Sequence, residues 1–276
     1  MGQPSPRWSK PFLKPSHDWN EVIAMVQSMG IDIGGSGFRI GIFDCTTGVL
    51  QSDFIQRHHT NGVHPTAILP NIRSEIRGMN WNGIIGIGFP GAVEKGVVKT
   101  APNLGKAWIG LDLSAEIGID GMNDIVAMND ADAVGTAEVT HGAGKSVKGT
   151  VLTLTVGTGI GTTIHRHGTL EPNLEYGLKP HPFKEGSLED HASGRARAVN
   201  GLTLRQWVDE FQVALECFYE WFQPDTVIVS GGITEHWGDL GSLFSDQFQL
   251  SKAIHGQHAG ALGAAIQASK LTDSTN

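Results

Sequence analysis

The sequence predicts an α/β protein of two lobes, and two observations carry that prediction. A strand, a glycine turn and a second strand occur together at residues 28–43 and again at 150–165. Strand-length apolar runs elsewhere alternate with helical patterns, which is the signature of an α/β chain. Two copies of one supersecondary unit suggest a duplicated, two-lobe molecule rather than a single sheet, although two short glycine turns also recur by chance.

Taken in order, the apolar run from Ser28 to Ile33 meets Gly34-Gly35-Ser36-Gly37, and a second run from Phe38 to Phe43 precedes a turn at Asp44 to Gly48. Val49 to about Ile55 reads as a third strand completing a meander. Val63, Ala67, Ile68, Ile72 and Ile76 recur near helical spacing; Pro65 suits a first turn, and Pro70 is expected to kink or end the helix. Ile84 to Gly88 and Asp124 to Met128 read as buried strands that end in Phe89-Pro90-Gly91 and Asn129-Asp130. Ala131 to about Val139 reads as a helix, with Asp130 and Asp132 favourable at its positive end.

Thr150 to Val156 then meets Gly157-Thr158-Gly159-Ile160-Gly161, and Thr162 to His165 follows before a turn at His167-Gly168. Leu204, Trp207, Val208, Phe211, Leu215, Phe218 and Phe222 mark one long amphipathic helix that Pro224 stops. Thr226 to Val229 is a buried strand running into Ser230-Gly231-Gly232. Ala261, Leu262, Ala265 and Ile266 share one face of a closing helix.

A chain of 276 residues, 39% hydrophobic and 17% charged, has the composition of a globular protein large enough for one sizeable or two modest domains. Its formal net charge of −8 offers nucleic acid or an anionic membrane no attractive field, so a polyanionic ligand requires a local basic patch. Cys45 and Cys217 form neither a disulfide framework nor a metal-ligand spacing, which favours packing thiols in a reducing, cytoplasmic setting. No run of about 18 apolar residues is present, which excludes a transmembrane helix. Residues 1–28 read as a loosely ordered extension without a signal-peptide pattern; Trp8, Phe12 and Trp19 are its candidate docking residues.

The chemistry sits in the turns. Gly34-Gly35, Gly157-Thr158-Gly159 and Gly231-Gly232 each follow an apolar strand, and glycine lets backbone N–H groups approach anionic oxygens closely. One such turn is ordinarily a hairpin; three at strand ends suit a protein that surrounds a phosphate chain, with Ser36 and Thr158 adding hydroxyl donors. The turns match neither the P-loop nor the dinucleotide fingerprint. Asp32, just before the first turn, is suited to hold Mg²⁺ through water. Asn129-Asp130 offers an amide for a sugar hydroxyl and a carboxylate for the attacking hydroxyl's proton, alongside the plainer role of a helix N-cap. Glu175 and Glu189 lie in polar, Gly/Pro-broken stretches where a charge is usually just solvated. Twelve histidines show no metal spacing.

Ile31-Asp32-Ile33-Gly34-Gly35-Ser36, Asn129-Asp130-Ala131-Asp132, Leu154 to Gly161 and Ser230-Gly231-Gly232 occur in the order found in one family. From about Met29 to Lys270 the chain resembles the ROK sugar kinases, which have the two-lobe actin-like ATPase (ribonuclease H-like) fold. His258-Ala259-Gly260-Ala261-Leu262-Gly263 is similar to that family's closing helix, and Lys99 to Gly110 looks most like its polyphosphate-dependent glucokinase branch. The resemblance implies an N-terminal extension (1–28), a small lobe (29–132, completed by 260–276) and a large lobe (133–259). It implies phosphorylation of glucose at its 6-hydroxyl, Mg²⁺, polyphosphate with ATP as a further donor, no structural zinc and a homodimer.

By resemblance, Asp130 is the catalytic base. Asn103, Asn129, Glu175 and Glu189 hold sugar hydroxyls, and Asp32 with Gly34, Gly35, Ser36, Gly157, Thr158 and Gly159 handles phosphate and Mg²⁺. Gly231 and Gly232 supply the third turn, and Lys106 with Lys99, Lys145 and Lys148 are the candidates for a basic donor groove. Leu178 stands where the family usually has a sugar-binding histidine; His181 is the nearest substitute. Two rivals are a ROK kinase for another hexose and a sugar-binding relative without catalysis. For the second, residues 1–28 are too short and proline-rich to supply the usual helix-turn-helix.

Overall fold

The computed structural model describes residues 26–119, 124–240, 243–244 and 248–273. Most of the N-terminal extension, with Trp8, Phe12 and Trp19, lies outside them, as do residues 274–276.

The first glycine turn joins β1 (Gln27–Ile33) to β2 (Gly37–Asp44) as an antiparallel pair in which Asp32 faces Arg39. The single strand expected over 49–55 forms as two pieces, β3 (Val49–Leu50) and β4 (Ile55–His58), both paired with β2. Between them the Ser52 hydroxyl takes the Ile42 N–H at 3.0 Å, a side chain standing in for a ladder acceptor while the strand bulges. Helix α1 (Pro65–Gly78) begins on Pro65 and runs through Pro70 instead of ending there. The carbonyl that Pro70 leaves unpaired belongs to Thr66, an exposed first-turn residue that water can reach, so the helix continues.

β5 (Ile85–Phe89) and β8 (Ile125–Asn129) add parallel strands beside β1, giving the order β3-β2-β1-β5-β8. A short hairpin, β6 (Val93–Glu94) with β7 (Val97–Val98), and helix α2 (Leu113–Ile117) lie between them in sequence. Helix α3 (Asp130–His141) follows β8 directly.

The second sheet repeats the plan. β9 (Thr150–Val156), β10 (Ile160–Arg166) and β11 (Thr169–Glu171) form an antiparallel meander, and β12 (Thr226–Ser230) and β13 (Leu250–Lys252) extend it with parallel strands. Its order is β11-β10-β9-β12-β13. In both sheets the first strand of the unit is central, with antiparallel strands to one side (β2 with β3 and β4 in the first, β10 with β11 in the second) and two parallel strands to the other. The duplication left open by the glycine turns is therefore a duplication of topology.

α4 (Leu188–Ala192), α5 (Gly194–Val199) and α6 (Leu204–Phe222) fill the connection from β11 to β12, and α7 (Trp237–Leu240) follows β12. α6 starts on a capping box between Thr203 and Gln206 and ends on Gln223 in the left-handed region, one residue before Pro224. Its buried face, including Trp207, Phe211 and Phe218, packs on Leu152, Leu154 and Val156 of β9. In the first lobe α1 covers β1 and β5 in the same way through Ile68, Ile72 and Ile76.

The inner faces of the two sheets meet across α3 and α8 (Ala259–Asp273), which lie against each other; α8 lies on β1 and β5, and α3 on β9 and β10. That approach depends on small residues. A Cβ on Gly30 would run into the Ala261 carbonyl, and one on Gly263 into the Ala133 carbonyl. The Glu138 carboxylate of α3, fully buried, accepts the Ala143, Ile254 and His255 N–H groups and fixes the turn that leads into α8.

Candidate active site

The ends of β1, β5, β8, β9 and β12 open into one cleft of about 360 Å³, within the usual range for small-molecule sites. All three glycine turns reach it, through Gly35, Gly157, Thr158, Gly159 and Gly231. In the first turn the Gly34 N–H donates to the Gly37 carbonyl at 2.8 Å, and the His59 ring N–H donates to the Gly34 carbonyl at 2.9 Å. Gly34 and Ser36 thus belong to the turn without lining the cleft, while Gly35 lines it opposite Asn103. In the second turn the Gly157 N–H donates to the Gly159 carbonyl at 3.0 Å. Gly232 faces away, into an adjoining cavity.

Asp32 ends the central strand of the first lobe and pairs with Arg39 at 3.0 Å. The pairing follows from the β1–β2 register, which sets the two side by side on neighbouring strands. Burial raises the Asp32 carboxyl above the usual range; the guanidinium opposes the shift without overcoming it.

Asn129 caps α3, accepting the Asp132 N–H at 3.1 Å, and its amide donates to the Gly91 carbonyl at 3.2 Å. One amide N–H is left for a ligand, so most of its capacity fixes the strand-to-helix corner that presents Asp130. Asp130 accepts the Ala131 N–H at 2.8 Å. Burial, with the negative charge of Asp32 next, pushes its pKa up to about 8. The sequence offers an ordinary carboxylate here; burial makes it a much stronger base.

Glu189 is anchored on the second turn, where it accepts the Ile160 N–H at 2.9 Å; burial, chiefly, raises its pKa. Glu175 accepts the Thr100 hydroxyl at 3.2 Å, a contact that crosses from the second lobe to the first. Both line the cleft with Asn103, so the two glutamates expected from local composition to be solvated charges form its wall. Leu178 lines it too. His181 does not: it is buried against His191, ring centroids 4.8 Å apart, and its Nδ1 accepts the Phe183 N–H at 3.1 Å. A shifted loop that would bring His181 to the sugar is therefore absent. Lys106 is exposed on the short turn Lys106–Trp108 and lines no part of the cleft.

Two further residues carry weight that the sequence alone does not reveal. Arg39, the cleft's cation, follows as the cross-strand partner of Asp32 once the hairpin is drawn. Asp132, a helix-end charge by its sequence position, is buried and accepts the Asn173 N–H at 2.7 Å and the Thr163 hydroxyl at 3.3 Å. Burial pushes its pKa up to about 7.

Residues 28–171 match the ROK family model, and a polyphosphate glucokinase of Mycobacterium tuberculosis is 36% identical over 90% of this chain and 92% of its own. The chain belongs to the ROK family. A second relative of this ROK protein, the polyphosphate glucokinase of Mycobacterium leprae, is 32% identical over 93% of this chain and 79% of its own. Among solved structures, the inorganic polyphosphate/ATP-glucomannokinase of Arthrobacter sp. strain KM superposes with a TM-score of 0.81 at 31% identity, covering 89% of this chain and 99% of that one. The actin-like two-lobe fold expected from the sequence is thereby borne out, and the twin sheets are its physical content.

Proposed function

We propose that this protein transfers a phosphoryl group from inorganic polyphosphate, with ATP as a further donor, to the 6-hydroxyl of glucose. The observation that carries the reading is Asp130, a base raised to about 8, in a cleft shared by the glycine turns and by Glu175 and Glu189. The glutamates and Asn103 orient the sugar, since carboxylates accept hydroxyl hydrogen bonds in a geometry fixed from both lobes. Asp130 takes the proton of the attacking hydroxyl as the new P–O bond forms and the donor's bridging P–O bond breaks. The backbone N–H groups of the turns, with Arg39, stabilise charge on the transferred group.

Asp32 is suited to hold a divalent cation through water, since Mg²⁺ typically takes one or two carboxylates with the rest of its shell from water and phosphate. No group of three or more metal-ligating side chains stands together among the described residues. When bound, the ion neutralises phosphate charge.

Leu178 favours a second acceptor. It offers no hydrogen bond, so the hydroxyl facing it is not read, and mannose joins glucose as a substrate, as the name of the Arthrobacter relative implies for that enzyme. The test is sugar phosphorylation with Mg²⁺, with polyphosphate and ATP compared as donors and glucose and mannose as acceptors. Silence with both donors would sink the reading; activity with ATP alone would remove its donor half.

A further inference from the structure

The first glycine turn is held from behind by the segment that follows β4. The backbone N–H of His59 donates to the Ser36 carbonyl and its ring N–H to the Gly34 carbonyl, both at 2.9 Å, so one residue takes two carbonyls of the turn. A trans peptide points its carbonyl and its N–H in opposite directions, so fixing the Gly34 carbonyl fixes the direction of the Gly35 N–H. Gly35 lines the cleft and His59 does not, which leaves the turn as the route by which His59 acts on a bound donor.

The far end of the same segment is tied to the sugar side. The Trp108 indole N–H donates to the Val63 carbonyl at 2.8 Å, and Trp108 is fully buried, its ring 5.2 Å from that of Phe89 at the end of β5. Trp108 closes the run of turns that carries Asn103: the Gly105 N–H donates to the Ala101 carbonyl at 2.9 Å, and the Trp108 N–H to the Gly105 carbonyl at 3.3 Å. The two loops also meet directly, since a Cβ on Gly35 would lie 3.7 Å from that of Asn103. Between the anchors, residues 60–62 are exposed and border a cavity of about 500 Å³ that reaches Phe38, Ile68 and the Arg57–Glu75 pair. Packing leaves the segment loose there, so the hydrogen bonds at its two ends set its course.

We infer that His59–Val63 is a brace that registers the first glycine turn on the sugar loop, and that His59 is its positioning residue, aiming the Gly35 N–H at the transferred phosphoryl group. The inference rests on the phosphotransfer reading above. It applies to polyphosphate and ATP alike, because the transferred group is common to both. H59F keeps a ring beside Phe38 and removes the donor, whereas H59Q replaces it with an amide N–H. With glucose saturating, H59F lowers kcat/KM for the phosphoryl donor about tenfold, equally for each donor the wild type uses, and leaves the glucose dissociation constant within about twofold. H59Q recovers most of that loss. One glycine inserted after Asn61, where the chain is exposed and Gly62 has open space around it, keeps both anchors and slackens what joins them. That insertion lowers kcat about fivefold with both KM values near wild type. An H59F enzyme with wild-type kcat/KM for the donor would overturn the inference. So would an equal loss of glucose affinity or a failure of H59Q to recover activity, since residue 59 would then merely support the fold. An insertion variant with wild-type kcat would overturn the brace. Each of these leaves the proposed activity standing; a wild-type enzyme silent with both donors would remove both, and the wild-type donor comparison alone reveals it.

Discussion

Asp130 is where one side chain carries the most consequence. Burial and the neighbouring Asp32 hold its pKa at about 8 against 3.8 for a free aspartate. The base form is therefore scarce below that pH, and kcat/KM, which reports the free enzyme, should rise about tenfold per pH unit from roughly pH 6 and level off above about 8. Asp130→Asn should lose at least about a thousandfold in kcat, keep the glucose dissociation constant within about threefold, and abolish that slope. The same shift has a stability consequence of definite sign. Between 3.8 and about 8 the folded state retains a proton that the unfolded chain has released, so the group's contribution is full below 3.8 and is lost as pH rises towards 8. Calorimetry should therefore find Asp130→Asn more stable than wild type by on the order of 3–6 °C at pH 8 and nearly equal at pH 4. Equal melting temperatures at both would mean that Asp130 is not desolvated.

Arg39 is the complementary case, a cation whose value lies in its fork. It neutralises Asp32 at 3.0 Å and lines the cleft, so Arg39→Met should cost about 10–100-fold in kcat/KM. Arg39→Lys should recover only part of that, since an ammonium cannot hold a carboxylate and a phosphate in one plane. Full activity in the methionine variant would leave Arg39 merely structural.

At the scale of elements, α3 and α8 meet through glycines because side chains would not fit. Gly263→Val drives two methyl groups towards the Ala133 backbone, which cannot yield without separating the helices. The expected cost is about 3 kcal/mol, at the upper end for overpacking, and a fall of roughly 6–12 °C in melting temperature. Thermal unfolding within 2 °C or so of wild type would mean that the seam is looser than the backbone distances imply.

Elements with strong periodicity are legible in the sequence itself. Thr150 to Val156 forms the strand its apolar run predicts, and the spacing of Trp207, Phe211, Phe218 and Phe222 locates α6. What the sequence leaves illegible is set by partners distant along the chain. Nothing local to Val49–Ile55 reveals that Ser52 will bond to Ile42 and split the strand, and α4 and α5 are too short and polar to show a buried face. In the cleft, the turns and Asn129-Asp130 stand out because their glycines and acids follow apolar runs. Glu175 and Glu189 can be singled out only by resemblance, because their burial comes from the opposing lobe and the glycine turn.

For the whole molecule, the question is how two lobes with separate cores are held at a working distance. Beyond α3 and α8, the lobes are bridged by Asn173, whose side chain accepts the Val93 N–H at 3.0 Å and donates to the Val93 carbonyl at 3.1 Å. This imitates a ladder pair between the β6 hairpin and the second sheet. Asn173 sits at φ 60°, where asparagine is tolerated and glycine is better still, so Asn173→Gly removes the latch without adding backbone strain. Its backbone N–H keeps Asp132 as acceptor. Stability should change by no more than about 1–2 kcal/mol, since two hydrogen bonds are lost against some relief of backbone strain. Closure over the sugar should suffer more: Glu175 and Thr100, the neighbouring cross-lobe pair, would lose their fixed separation. We expect kcat/KM for glucose to fall about tenfold and hydrolysis of the phosphoryl donor without sugar to rise, because a cleft that closes poorly admits water. A variant with wild-type coupling of donor use to sugar phosphorylation would show that α3 and α8 alone set the lobe geometry, and that Asn173 serves only to finish the hairpin.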